Sequence, residues 1–181
     1  MEEVACAIVR CYKKKGKVLI AGNGGSLCDA MHFAEELTAY YRKKRPALPA
    51  IALADPGHIT AVGNDTNFDK IFERGVEALG QPGDVFVALT TSGNSKNIVL
   101  AVEKAKEMGL TTVGFLGKSG GILQGKADLE WIVKGFDTSD RIQEVHMAAI
   151  HMIIECVEYA LFYKDAQIDV DAKSAQRKIG V

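Results

Sequence analysis

The chain has 181 residues and a mass of 19.5 kDa, with 48% hydrophobic and 25% charged residues, the profile of one ordinary soluble domain long enough to bury a substantial core. Twenty-two Lys and Arg stand against 23 Asp and Glu, a formal net charge of −1. That leaves no basic footprint of the size that nucleic-acid or anionic-membrane partners need, so an anionic ligand must be held by local geometry.

From the N-terminus, residues 1–17 place their positive charge after a short apolar stretch, the reverse of a secretory signal, and predict a helix. Residues 17–21 predict a strand. Gly22, Asn23, Gly24, Gly25 and Ser26 follow it and run into a helix predicted over 27–42. The glycines allow close backbone approach, and the helix start favours an anion. As a dinucleotide fingerprint the loop fails, because Leu27 stands where a third Gly is needed and Arg42, Lys43 and Lys44 stand where an acid is needed. A plain turn capped by Ser26 is the structural alternative. On the same helix, His32 and Glu36 are four apart and share a face, so they can chelate one metal or act as an acid/base pair.

Pro46 and Pro49 bound a short connecting loop before the strand predicted at 50–53. A helix over 68–79 and a strand over 84–89 follow. The next loop holds Thr90, Thr91, Ser92, Gly93, Asn94 and Ser95 and enters a helix predicted over 98–108. Four hydroxyls at a helix start can ring a phosphate with neutral donors, where an ordinary cap would use one. A strand at 111–115 leads to Gly117, Lys118 and Ser119, which is no Walker A loop, since Thr112 occupies the place of its first Gly.

The fifth strand is predicted at 129–133 and the last helix over 141–162. The long apolar stretch 145–163 contains His146, His151, Glu155 and Glu158, a density of ionisable groups costly in a bilayer, so it predicts a largely buried helix of a soluble protein. His146 and His151 are five apart, about 140° around the helix, so they serve different sides. Among Ile150, Met152, Ile153 and Ile154, His151 requires a polar partner. Gln143 and His151 are eight apart, roughly 12 Å of rise. If both belong to one site, that site lies between subunits.

Strand and helix alternate throughout, which predicts an α/β fold with a doubly wound, five-stranded parallel sheet and helices on both faces. One domain over residues 1–164 is the economical reading, with a tail at 165–181 that loses apolar periodicity. Cys6, Cys11, Cys28 and Cys156 form neither a CxxC pair nor a secreted-scaffold density, the pattern of reduced thiols in a cytoplasmic protein.

Taken together, GNGGSLCDAMHFAEELT, AVGNDTNFDKIF, TTSGNS, the GKSGG turn and DRIQEVHMAAIH resemble the phosphoheptose isomerase family of the sugar isomerase (SIS) superfamily, over about residues 17–164. The resemblance implies a flavodoxin-like SIS fold and conversion of sedoheptulose 7-phosphate to D-glycero-D-manno-heptose 7-phosphate, for the heptose of bacterial cell-surface polysaccharides. It implies substrate contacts from Asn23, Gly24, Gly25, Ser26, Asn64, Asp65, Thr90, Thr91, Ser92, Ser95 and Gln143. It further implies one Zn²⁺ per subunit on His32, Glu36, Gln143 and His151, with Glu36 and His151 as acid/base catalysts. The implied assembly is a homotetramer with active sites at subunit interfaces.

Two departures stand out. Ala39 and Tyr40 replace a family Gly-Arg pair, removing a cation, and the chain starts at what corresponds to the family's second helix. Competing readings are a non-catalytic SIS protein acting by protein contacts, of the replication-initiator-associating type, and an isomerase of another phosphosugar. His32, Glu36, Gln143 and His151 together argue against the first, and Tyr40 keeps the second open.

Overall fold

The computed structural model describes residues 1–163, so the expectation for the tail lies outside the described residues. Five strands form one parallel sheet: β1 (Val18–Gly22), β2 (Ala50–Ala52), β3 (Val85–Thr90), β4 (Thr111–Gly117) and β5 (Leu129–Val133). Their order is β2-β1-β3-β4-β5, and Val18 pairs with both Ala50 and Val85. Because side chains alternate across a strand, each central strand feeds two cores. Val18, Ile20, Val85, Val87, Val113 and Phe115 face one core, and Leu19, Ala21, Phe86, Ala88 and Leu116 face the other. Burial on both faces explains why the strands read as nearly unbroken apolar runs.

The first core is covered by α1 (Glu2–Lys13), α2 (Gly25–Thr38) and α6 (Ser139–Phe162), and the second by α4 (Ile71–Leu79) and α5 (Lys96–Glu107). Phe33 of α2 and Phe72 of α4 are essentially inaccessible, each contributing about 1.5–3 kcal/mol of apolar burial.

Several boundaries differ from the sequence reading. The helix expected over 27–42 begins at Gly25, inside the glycine loop, and stops at Thr38. It begins early because Gly24, at φ 56, turns the chain directly into the helix. Ser26 therefore lies in the first turn, buried, and is not the cap. An additional helix, α3 (Pro56–Asp65), carries no fully buried residue, and only Ile59 and Val62 pack against the second core, so its apolar stripe is short and easily missed. Its signal is at its start, where Asp55 accepts from the His58 amide at 2.6 Å and Pro56 opens the first turn.

By length and composition, α6 alone among the described residues could cross a membrane. It is buried along one face, not largely buried as expected. Ile142, His146, Ala149, Ile150, Ile153, Ile154, Val157 and Glu158 are buried, whereas Met152 and Tyr159 are exposed.

Candidate active site

In this strand order the chain turns to opposite faces after β1 and β3, which opens a crevice beyond their carboxyl ends. A cavity of about 130 Å³ lies there, lined by Asn23, Ser26, Thr90, Thr91, Ser95, Ser139 and Gln143 with Leu89. It contains no Lys or Arg. Its polar lining comes from strand ends and the first turns of α2, α5 and α6, whose open amides suit an anion.

Thr90 Oγ1 accepts from the Gly93 amide at 3.2 Å, and Thr91 Oγ1 lies 3.0 Å from Ser139 Oγ. Ser92 accepts from the Asn94 amide at 3.2 Å and shapes the loop without lining the cavity. Gly93 has φ 67, and a Cβ there would fall 1.8 Å from the Gly120 carbonyl oxygen, so only glycine lets the two turns meet. At Gly25 a Cβ would fall 2.6 Å from the Gln143 amide. Gln143 Nε2 in turn reaches Ser26 Oγ at 3.5 Å.

Two contributors were not found in the sequence. Ser139 was outside the predicted last helix, which begins two residues earlier than expected. Asn97, 3% exposed, exchanges two 2.9 Å hydrogen bonds with Asn23 and ties the glycine loop to α5. A pairing across 74 positions leaves no local pattern. Asn64 and Asp65, by contrast, end α3 on the surface, bonded to one another at 2.8 Å and outside the cavity lining.

Further along α2 and α6, His32, Glu36 and His151 bring their ligand atoms within 4.8 Å of one another. His32 Nε2 lies 3.1 Å from His151 Nε2 and 3.4 Å from Glu36 Oε1. Tetrahedral zinc with bonds of about 2.0–2.1 Å spaces its ligands by roughly 3.3 Å, and two imidazoles with a carboxylate are a regular zinc donor set. The residues therefore fit that ion. Gln143 is not in this group, since its amide lies by Ser26 and Gly25, and one chain brings together three of the four residues implied.

Burial and the adjacent Glu35 hold the Glu36 carboxyl above its ordinary range, against the pull of His32 and His151. Asp29, one turn before His32, is pushed up by burial to about 6, with His32 opposing, and its Oδ2 is buried without a hydrogen-bond partner. The Tyr41 ring stacks on His151 at 5.6 Å and 23°. His146 faces elsewhere, as its spacing requires. It is fully buried between Phe115 and Trp131, and its Nε2–H donates to the Leu116 carbonyl at 3.0 Å.

The SIS domain family profile matches residues 1–117, which puts the protein in the sugar isomerase class, and the sheet order with a neutral anion cradle at its switch point accords with that class. The chain is 57% identical over 161 residues to the phosphoheptose isomerase of Fusobacterium nucleatum, covering 89% of this chain and 82% of that one. It is 52% identical over 158 residues to that of Vibrio cholerae, covering 87% and 83%. Its fold matches the structure of a phosphoheptose isomerase from Francisella tularensis with a TM-score of 0.82 and 41% identity, over 86% of this chain and 83% of that one. The chain belongs to the phosphoheptose isomerase family.

Proposed function

We propose that the protein is an aldose–ketose isomerase that converts sedoheptulose 7-phosphate to D-glycero-D-manno-heptose 7-phosphate. The observation that carries this is a spacing. Ser26 of α2 and Gln143 of α6 line the cavity, and His32 and His151 of the triangle lie six and eight residues further along the same helices, with Glu36 one turn beyond His32. That is roughly 9–12 Å of rise, the reach of an extended phosphosugar held by its phosphate.

Asn23, Ser26, Thr90, Thr91 and Ser95 hold the phosphate end with hydroxyls, an amide and helix starts. Gly24 and Gly25 keep the backbone close, Ser92 shapes the loop, and Asn64 and Asp65 meet the sugar from the α3 end. With the phosphate fixed, C1 and C2 lie at the triangle. One of Glu36 and His151 removes a proton from C1, the enediolate forms, a proton passes from O1 to O2, and the other group returns a proton to C2, leaving the aldehyde at C1. His32, Glu36 and His151 would hold zinc, with Gln143 of a neighbouring chain completing the set. When bound, the ion supplies polarisation of the carbonyl and stabilisation of negative charge on its oxygen.

Tyr40, 49% exposed just beyond α2, provides no cation, so phosphate recognition rests on the neutral cradle. We further infer a cytoplasmic homotetramer with shared active sites, supplying heptose for cell-surface polysaccharide. The test is an assay of the purified protein with sedoheptulose 7-phosphate before and after chelation. Turnover that is lost on chelation and restored by Zn²⁺ supports the reading. Absence of turnover by zinc-replete protein contradicts it, and full activity after verified metal removal eliminates an essential ion.

A further inference from the structure

Arg45 and Glu158 form an ion pair at 2.6 Å with side chains 1% and 3% exposed, away from the phosphate cradle. The guanidinium lies across the end of α2. It donates to the Glu36 and Leu37 carbonyls at 2.7 Å each and to the Pro46 carbonyl at 3.1 Å. It thus satisfies carbonyls that a helix end leaves open and places a cation at the negative end of the helix dipole.

Glu158 lies seven residues, two turns, beyond His151 on α6. Its Oε1 accepts from Arg45 Nε–H and also from the Tyr41 amide at 3.1 Å. Tyr41 is the residue whose ring covers His151. One buried pair therefore joins the turn of α2 that bears Glu36, the aromatic cover of His151 and the helix that bears His151. A buried ion pair is weak evidence for stability, because well-packed apolar residues often replace one without loss. What apolar residues do not reproduce is the fork of directed bonds to the α2 carbonyls.

We propose that Arg45 and Glu158 are positioning residues of the reaction centre, which set the separation between the His32 and Glu36 edge of the triangle and its His151 edge. The effect on turnover rests on the isomerase reading, whereas the effect on cation binding does not.

Two variants test this. Arg45→Lys keeps a cation beside Glu158 but loses the planar fork, and Arg45→Met with Glu158→Leu removes both charges together. Folding is checked by circular dichroism and thermal melting, Co²⁺ binding to metal-free protein by titration and by the ligand-field absorption, and kcat and KM with sedoheptulose 7-phosphate. Both variants are expected to fold and to bind Co²⁺ about 10- to 100-fold more weakly, the range for partners that orient metal ligands. The kcat falls while KM, set in the separate phosphate cradle, stays near wild type. Wild-type Co²⁺ affinity and kcat in a folded variant would overturn the proposal, leaving the pair a structural one. If the double variant does not fold, Arg45→Lys decides alone. If Co²⁺ affinity falls but zinc-replete wild type does not isomerise the substrate, the positioning role stands and the isomerase reading fails.

Discussion

His146 and His151 are five residues apart on one helix and serve opposite purposes. His151 meets His32 at 3.1 Å, whereas His146 is sealed between Phe115 and Trp131. His151→Ala is expected to lower kcat by about 10²–10⁴, the usual range for a lost acid/base group, with little change in melting temperature. His146→Ala opens a core cavity and leaves the Leu116 carbonyl without its donor, costing about 1–3 kcal/mol of stability with kcat per folded molecule largely kept. Equal losses of kcat in the two variants would contradict this division. A second test is pH. Burial pushes His146 below its ordinary 6.5, with the Leu116 hydrogen bond opposing. The unfolded chain therefore takes up the proton first on acidification. This contribution to stability is present above about 6.5 and is lost as pH falls toward the folded-state value. His146→Leu should flatten the decline in denaturant midpoint over that window, and an unchanged decline would refute the assignment.

At the scale of the element, each main functional stretch is a strand end passing into a helix start. Gly93 shows how closely two such turns are packed. Gly93→Ala is expected to separate the Thr90 loop from the Gly120 turn, lowering the melting temperature and weakening phosphate-analogue binding together, by calorimetry. The central strands β1, β3 and β4 were legible because burial on both faces makes them continuous apolar runs, the edge strands β2 and β5 as short β-rich runs, and the helices of the two cores because they have an apolar stripe. Helix α3 was not, since it packs only Ile59 and Val62 partly against the core, and Asp55 and Pro56 are the clearest signs of its start. The hydroxyl loop and the His32 and Glu36 spacing were readable for the same local reason. Asn97 on Asn23 and Arg45 on Glu158 were not, because pairing across 74 and 113 positions is created only by the fold.

For the whole molecule, a net charge of −1 fits a phosphate cradle with no Lys or Arg in its lining. The triangle has three groups from one chain, while Gln143 lies at the cradle. If a neighbouring chain supplies the fourth ligand, mixing inactive Gln143→Ala and His151→Ala proteins under exchange conditions should regain part of the activity, whereas each alone stays inactive. No recovery in verified mixed oligomers would place the whole site within one chain. The central claim, that these groups move a proton between adjacent carbons of a phosphosugar, is tested most directly by an NMR time course of zinc-loaded protein with sedoheptulose 7-phosphate in D₂O. The predicted result is accumulation of the aldose 7-phosphate with solvent deuterium at C2, and a ketose spectrum that stays unchanged would contradict it.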